Sequence, residues 1–474
     1  LTSEPRTLKR TLTLTTAVML VAGSMIGSGI FRKPATMAGQ LLSPELLLGV
    51  WIVAGIVTFI GALTNAEIAG MFDRTGGQFV YFRHMYGNFT AYMYGWSILA
   101  VIQTGSQAGM AYAFAEYLGY FVRYPEASQV MQAWALHLPL IGDIHPFYQI
   151  GVKLTAIACI GFLTIVNYAG VRYGGLLQTI VTSIKVATIL GLCVLLFAAG
   201  NGSMSNVFHN FEIPGQVRGN LLPMIGLAMS GAFWAYDGWN NVTFVSGEIR
   251  NPKRNVPRAL LFGTLLVTAV YVLANIAFLH VLPIDEMRQS PLVAATAAEK
   301  VFGGAGGAII AVAVIISTYG AVNGSILTTA RVYFAMARDG LFFRPLAKVH
   351  RRFATPHVAL AVQGVWSGVL VLSGTFDTIT DSAMFAAWLT YMLGAAGIFV
   401  LRRKYPDTER PYRVWGYPVV PAIFVVFSAL FLINSVISNT QNAMMGLALI
   451  SLGVPVYFVA KMRKGGEPQV EDAP

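Results

Sequence analysis

Twelve stretches of about 20 or more mostly apolar residues follow one another along this chain of 474 residues, and that succession leaves few folds open. They lie near 12–38, 44–71, 90–122, 149–170, 174–200, 219–246, 257–283, 303–337, 356–374, 378–402, 417–438 and 441–462. In hydrocarbon every backbone polar group must be satisfied internally, so only helices and closed barrels cross a membrane. Ten-residue segments alternating with period two, the mark of a barrel, are absent. An all-α integral membrane protein with twelve transmembrane helices is therefore expected. Composition agrees: only 11% of residues are charged, against about 25% in soluble domains. That deficit excludes a disordered chain and argues against a soluble enzyme or a nucleic-acid binder. The opening LTSEPRTLKR is polar and basic, so no cleavable leader is expected in it.

The net charge of +11 is explained by where the basic residues sit. Of the 32 Lys and Arg, 24 fall in the two tails and the even-numbered connections, and 7, among them Arg32 and Lys33, fall on the opposite side. The bias places both termini in the cytoplasm, so the charge is topology and not a nucleic-acid footprint. The remaining one, Lys185, sits in the middle of a span. The longest connections are near 123–148 and 201–218, too short for a soluble domain. No G-x-x-x-x-G-K-[ST] motif is present, which excludes a P-loop pump and leaves gradients or exchange as the driving force. Cys159 and Cys193 lie in apolar stretches, and the seven histidines show no metal-ligand spacing. Neither a cofactor, a metal nor an enzyme activity is expected. A channel lacks its repeated filter sequence, and a receptor lacks an output domain.

Two of the spans are interrupted. Span 1 contains Gly23-Ser24-Met25-Ile26-Gly27-Ser28-Gly29, where each glycine costs a helix roughly 1 kcal/mol against alanine. One reading is an unwound segment whose freed amides bind a carboxylate at a half-helix N-terminus. The other is helix packing through the Gly23/Gly27 G-x-x-x-G pair. Span 6 contains Ser230-Gly231-Ala232-Phe233-Trp234-Ala235-Tyr236-Asp237-Gly238-Trp239-Asn240-Asn241. The interruptions are five spans apart, an odd number, so the second half would be inverted relative to the first. Paired broken segments in two halves point to a transporter site near the midplane.

Asp237 is the acid deep in span 6, and it has several available roles: attracting a substrate amine, carrying a proton, pairing with an internal base, or serving as a hydrogen-bonded structural acid. Lys185 lies about eleven residues into span 5, roughly 16 Å deep at 1.5 Å per residue. Its ammonium must meet an anion or backbone carbonyls. The unwound carbonyls of span 1 are one such set, where the ammonium would stand in the place of a sodium ion; a span carboxylate is the other. Trp234 and Tyr236 flank the interruption, and Phe385 and Trp388 lie on span 10.

Several segments together carry a family resemblance: GSMIGSGIF in span 1, NAEIAGMFDRTGGQFVYFRHMYG after span 2, FWAYDGWNNVTFVSGEIRNPKRNVPRAL from span 6, GAVNGSILTTARVYFAMARDGLFF in span 8, and ERPYRVWGYPVVPAIF and LGVPVYF near the end. The chain resembles the amino acid–polyamine–organocation transporters, and among them the L-type amino acid transporters, nearly end to end. The span 6 block is the most specific match, an aromatic-Ala-Tyr-x-Gly-Trp-Asn core followed by Glu and Asn-Pro-x-x-x-x-Pro.

The resemblance implies a five-plus-five inverted-repeat fold with broken helices 1 and 6 and two extra C-terminal helices. Its parts would be a tail at 1–11, repeats at 12–200 and 219–402, the extra pair at 417–462 and a tail at 463–474. It implies an amino acid held between spans 1 and 6. The carboxylate would lie on the amides around Gly27, Ser28 and Gly29, beside Ile26, and the ammonium on carbonyls of Met25, Trp234, Ala235 and Asp237. Trp234 would gate the site, and Phe385 and Trp388 would shape the side-chain pocket. Lys185 matches a lysine of bacterial relatives, which implies sodium-independent transport.

The expected function is a sodium-independent exchanger, by alternating access, of neutral amino acids, with basic ones left open as further cargo, in the inner membrane of a bacterium. Alternatives are a proton-coupled symporter using Asp237 or Lys185 and, more remotely, a polyamine or cationic amino acid carrier. Many large-neutral members have glycine where this chain has Asp237; an acid there resembles members that also exchange basic amino acids, and a bacterial serine/threonine exchanger. Animal members join a glycoprotein through a cysteine after span 3. The connection 123–148 has none, so no such disulfide-linked partner is expected.

Overall fold

The computed structural model describes residues 10, 12–72, 76–138, 142–169, 174–200, 202–208, 213–353 and 355–462. Apart from Arg10, the tails expected at 1–11 and 463–474 lie outside the described residues. Each expected span is helical. Span 1 is two half-helices, 1a (Leu14–Met25) and 1b (Gly29–Leu41). Span 2 (Pro44–Met71) begins with Ser43 accepting the amide of Leu46 at 3.3 Å and Pro44 in the first turn, a favoured helix start. Span 3 runs from Asn88 to Ser97, through a π-turn at Ile98–Ile102, to Gln103–Leu118. Spans 4 (Ile150–Tyr168) and 5 (Gly174–Ala198) follow. Span 6 breaks into 6a (Leu221–Tyr236) and 6b (Trp239–Glu248), the second wound as a tighter 3-10 helix.

The rest are span 7 (Pro252–Val281), span 8 (Val293–Arg338), span 9 (His357–Ser373), span 10 (Phe376–Lys404), span 11 (Val419–Ser438) and a divided span 12 (Thr440–Ser451, Gly453–Met462). The span 8 helix turns at Gly303, φ 69°, where the apolar count begins that span. Among the described residues nine helices are long and apolar enough to cross a membrane, the halves of spans 1 and 12 being joined. The other three fall short for visible reasons: the π-turn divides span 3, the break divides span 6, and span 9 has 17 residues. An antiparallel pair, β1 (Leu136–Leu138) and β2 (Gly142–Ile144), decorates the connection between spans 3 and 4.

Spans 1, 2, 6 and 7 pack on one another, as do spans 3, 4, 8 and 9, and span 5 lies against spans 1, 7 and 8. The two broken helices thus belong to one bundle and face the other. Two glycines permit the close approach of their breaks. A Cβ on Gly29 would fall on Ala235 Cα. Gly238, with φ 93°, lies where a Cβ would come 2.8 Å from Ser24 O, so only glycine satisfies both its backbone angle and its neighbour.

Span 10 is tied to this bundle by charge at both ends. At its start, Lys33 of 1b reaches Asp377 at 2.7 Å and Asp381 at 3.4 Å. At its end, Arg402 grips the fully buried Glu67 of span 2 through two bonds of 2.9 and 2.7 Å. Glu67 also meets Arg410 at 3.3 Å and accepts the Val414 amide at 2.7 Å.

Candidate functional site

Helix 1a stops because Ile26 turns extended, φ −74° and ψ 90°, and helix 6a stops because Asp237 does the same, φ −67° and ψ 158°. Each break frees carbonyls and amides, and the neighbouring spans supply partners for some of them. The Tyr271 hydroxyl of span 7 lies 2.8 Å from Met25 O and 3.1 Å from Ala235 O, so one donor ties the two breaks together. Lys185 Nζ, on a side chain 6% exposed, donates to Ile26 O at 3.1 Å. Trp234 Nε1 donates to Ser28 Oγ at 3.2 Å. The Asp237 amide turns back to Trp234 O at 3.3 Å.

Between the breaks and spans 3 and 8 lies a cavity of about 40 Å³, in a measure where one water takes about 10–15 Å³. Its wall is mostly small: Ser24, Gly27, Ser28 and Gly29 from span 1, Ser106 from span 3, and Gly320, Ala321, Gly324 and Ser325 from span 8. The first turn of 1b opens into it, and the first amides of a helix have no partner within that helix. They carry the positive end of its dipole, the arrangement that suits a carboxylate. Carbonyls at the C-terminal end of 6a and of 1a suit an ammonium.

The site expected from the sequence is brought together in part. Met25, Gly27, Ser28, Gly29, Trp234 and Asp237 line the cavity. Lys185 stands behind it, on Ile26. Ile26, Ala235 and Tyr236 do not line it. Successive helical residues point about 100° apart, and Tyr236 is aimed the other way, donating to Trp51 O at 3.2 Å and packing on Trp51 and Tyr271.

Phe385 and Trp388, expected to shape the side-chain pocket, do not line this cavity either. Trp388 packs on Phe233, at 3.8 Å between ring centres, and on Phe424 and Phe431. Phe385 borders a separate small polar cavity with Ser230, Asp381 and Asn439. Span 10 meets Trp234 through its first residue, Phe376, but a few turns further on it faces Phe233, and that is the side on which Trp388 packs. The span 10 residue that reaches the break is Tyr391, whose hydroxyl donates to Asp237 Oδ1 at 2.6 Å.

The sequence reading also passed over a polar chain in the wall of the cavity, where Gln103, Asn241 and Ser325 line it and Gln107 stands behind Ser325. Gln103 Nε2 donates to Asn241 Oδ1 at 3.3 Å, Ser325 Oγ donates to Gln103 Oε1 at 3.2 Å, and Gln107 Nε2 donates to Ser325 Oγ at 3.3 Å. The signal was present: Gln103, Ser106, Gln107 and Met110 share one face of span 3 by helical spacing, and polar residues at such spacing inside a span face protein, not lipid. Among the described residues no group of His, Cys, Asp or Glu is placed to hold a metal ion.

Residues 12–457 match a known sequence family, described as amino acid permease. The chain belongs to that family. This permease is 30% identical to a serine/threonine exchanger of Bacillus subtilis, over 98% of this chain and 99% of the relative. It is 32% identical to the human b(0,+)-type amino acid transporter 1, over 98% and 91%, and 33% identical to the mouse large neutral amino acids transporter small subunit 2, over 95% and 81%. The permease is thus a multi-pass membrane protein that transports amino acids, and not an enzyme, and the small-walled cavity between its two breaks is the candidate place for the cargo.

Proposed function

We propose that this permease is a sodium-independent exchanger of small neutral amino acids working by alternating access. The observation that carries the reading is the Lys185 ammonium on Ile26 O. A fixed cation on an unwound carbonyl supplies the positive charge that a sodium-coupled carrier would take from solution, so span 1 is held without an ion. The α-carboxylate sits on the first amides of 1b at Gly27, Ser28 and Gly29. The α-ammonium sits on the carbonyls freed at Met25, Trp234 and Asp237, and Trp234 covers the bound amino acid.

Small walls favour a small side chain. The Asp237 carboxylate already holds the Tyr391 hydroxyl, which favours neutral cargo over basic. The serine/threonine specificity in the Bacillus relative's name agrees with that size. Repeats at 12–200 and 219–402, both termini in the cytoplasm and a place in a bacterial inner membrane complete the reading. The absence of cysteine from 123–148 supports a transporter that works without a disulfide-linked partner. A second reading, proton-coupled uptake, draws on the same buried Asp237–Tyr391 pair.

The test is radiolabelled serine uptake into proteoliposomes without sodium or any gradient. Uptake confined to vesicles preloaded with unlabelled amino acid is expected. Uptake into empty vesicles driven by an imposed proton gradient would replace exchange by symport.

A further inference from the structure

The end of the site where 1b, 3 and 10 converge is closed by charge. Arg32 and Lys33 are neighbours on 1b and point apart, as consecutive helical residues must. Arg32 turns to span 3, where its Nε donates to Glu116 at 3.0 Å, while the Tyr117 hydroxyl beside Glu116 donates to Phe31 O at 3.0 Å. Lys33, 1% exposed, turns to span 10 and the two aspartates. The Phe376 ring lies under both cations, 5.3 Å from the Arg32 guanidinium carbon and 5.1 Å from Lys33 Nζ. Phe376 in turn meets Trp234 edge to face at 6.0 Å, and Trp234 is bonded to Ser28 at the site. An unbroken line of contacts runs from Lys33 to the cavity.

We propose that Lys33, with Asp377 and Asp381, is a positioning lock: it holds 1b on span 10 and so sets Trp234 over the cargo, and it opens to admit an amino acid from that face. The inference rests on the transport reading above. Three features make this contact releasable. Lysine is a point charge on a flexible stem, without the two-pronged grip of arginine. Asp381 keeps other partners when Lys33 leaves, since Ser230 Oγ donates to it at 3.0 Å and Asn439 Nδ2 at 3.1 Å. Asp377 is 35% exposed, so water reaches it already. Lys33 departing toward the opened mouth would find water as well.

The test places a cysteine at Ala321 in the cavity, in a background with Cys159→Ala and Cys193→Ala. A membrane-impermeant thiol reagent is then applied to each face of membrane vesicles in turn. In Asp377→Asn/Asp381→Asn, labelling from the face that carries Lys33 should rise about tenfold, with no rise from the other face. The exchanged pair Lys33→Asp/Asp377→Lys should bring the rate back toward the starting value. If the double variant does not fold, Asp381→Asn alone should show the same one-sided rise at smaller size. An unchanged rate, or an equal rise from both faces as general loosening would give, overturns the lock. Failure of the unsubstituted protein to exchange any amino acid would instead overturn the proposed function, and the labelling would still be readable.

Discussion

The two ends of span 10 are both fastened by buried charge, yet the fastenings differ in kind. At one end a single lysine serves two aspartates; at the other two arginines serve one glutamate. Glu67 is fully buried and is bound by the Arg402 fork, by Arg410 and by the Val414 amide. Two-pronged charged bonds are short, directional and strong, and removing one partner of a buried pair leaves a charge with nothing to offset its lost hydration. The Glu67 end is built to stay closed. The Lys33 end has spare hydrogen bonds for one acid and solvent for the other. Span 10 is thereby a lever with a fixed end and a releasable end.

Contacts across the opposite mouth of the cavity are weaker still. The Gln103–Asn241 bond is neutral and 3.3 Å long, and Arg331 stands 3.9 Å from Glu248 with both side chains partly exposed. At the cavity itself, the Lys33 side is thus held by charge, while the Asn241 side is held by one neutral bond and one long ion pair.

The largest effect should come from the fixed end. Glu67→Gln leaves two arginines short of their carboxylate and should lower stability by about 3–5 kcal/mol, read as a lower melting temperature in detergent and poor recovery of folded protein. A melting temperature equal to that of Lys33→Met would erase the distinction between the ends. Lys185→Ala should leave the fold intact and cut exchange turnover by roughly tenfold, about 1.4 kcal/mol, because Ile26 O loses the cation that holds the break. Wild-type turnover in sodium-free vesicles would remove the ammonium from the mechanism.

Asp237→Asn keeps an acceptor for Tyr391 and should change serine affinity only several-fold, the size of one charge-assisted bond made neutral. Competition by lysine or arginine that disappears in this variant would show that the carboxylate reads basic side chains after all. The smallest effect is expected at Trp388→Phe, which should alter melting but leave the KM for serine within twofold. A large KM change with an unchanged melting curve would put Trp388 at the cargo.

The membrane class and both interruptions were legible from the sequence because they rest on local chemistry: apolar runs long enough to span, and glycine with polar residues where a helix needs neither. Lys185 was legible for the same reason, as a charge too deep to reach water. The lock was not. Arg32 and Lys33 read as ordinary charges at a span end, because depth along the chain says nothing about the acids that another span brings beside them. Asp377 and Asp381 lie more than 340 positions away from Lys33, and only packing unites them.

The position of Phe385 and Trp388 outside this cavity was not legible for a related reason. The family resemblance put span 10 at the pocket, but which face of span 10 meets 6a is decided by Phe233, Phe424 and Phe431 together. Gln103 and Gln107 were within reach of the sequence through their helical spacing, a pattern that glycine counting alone passes over.

The most direct test of the central claim is a structure determined with the best exchanged amino acid bound. The carboxylate is expected within hydrogen-bond distance of the amides at Ser28 and Gly29, with the ammonium on the freed carbonyls at Met25 and Trp234. An amino acid found instead in the small polar cavity beside Asp381, with the two breaks unoccupied, would contradict the claim.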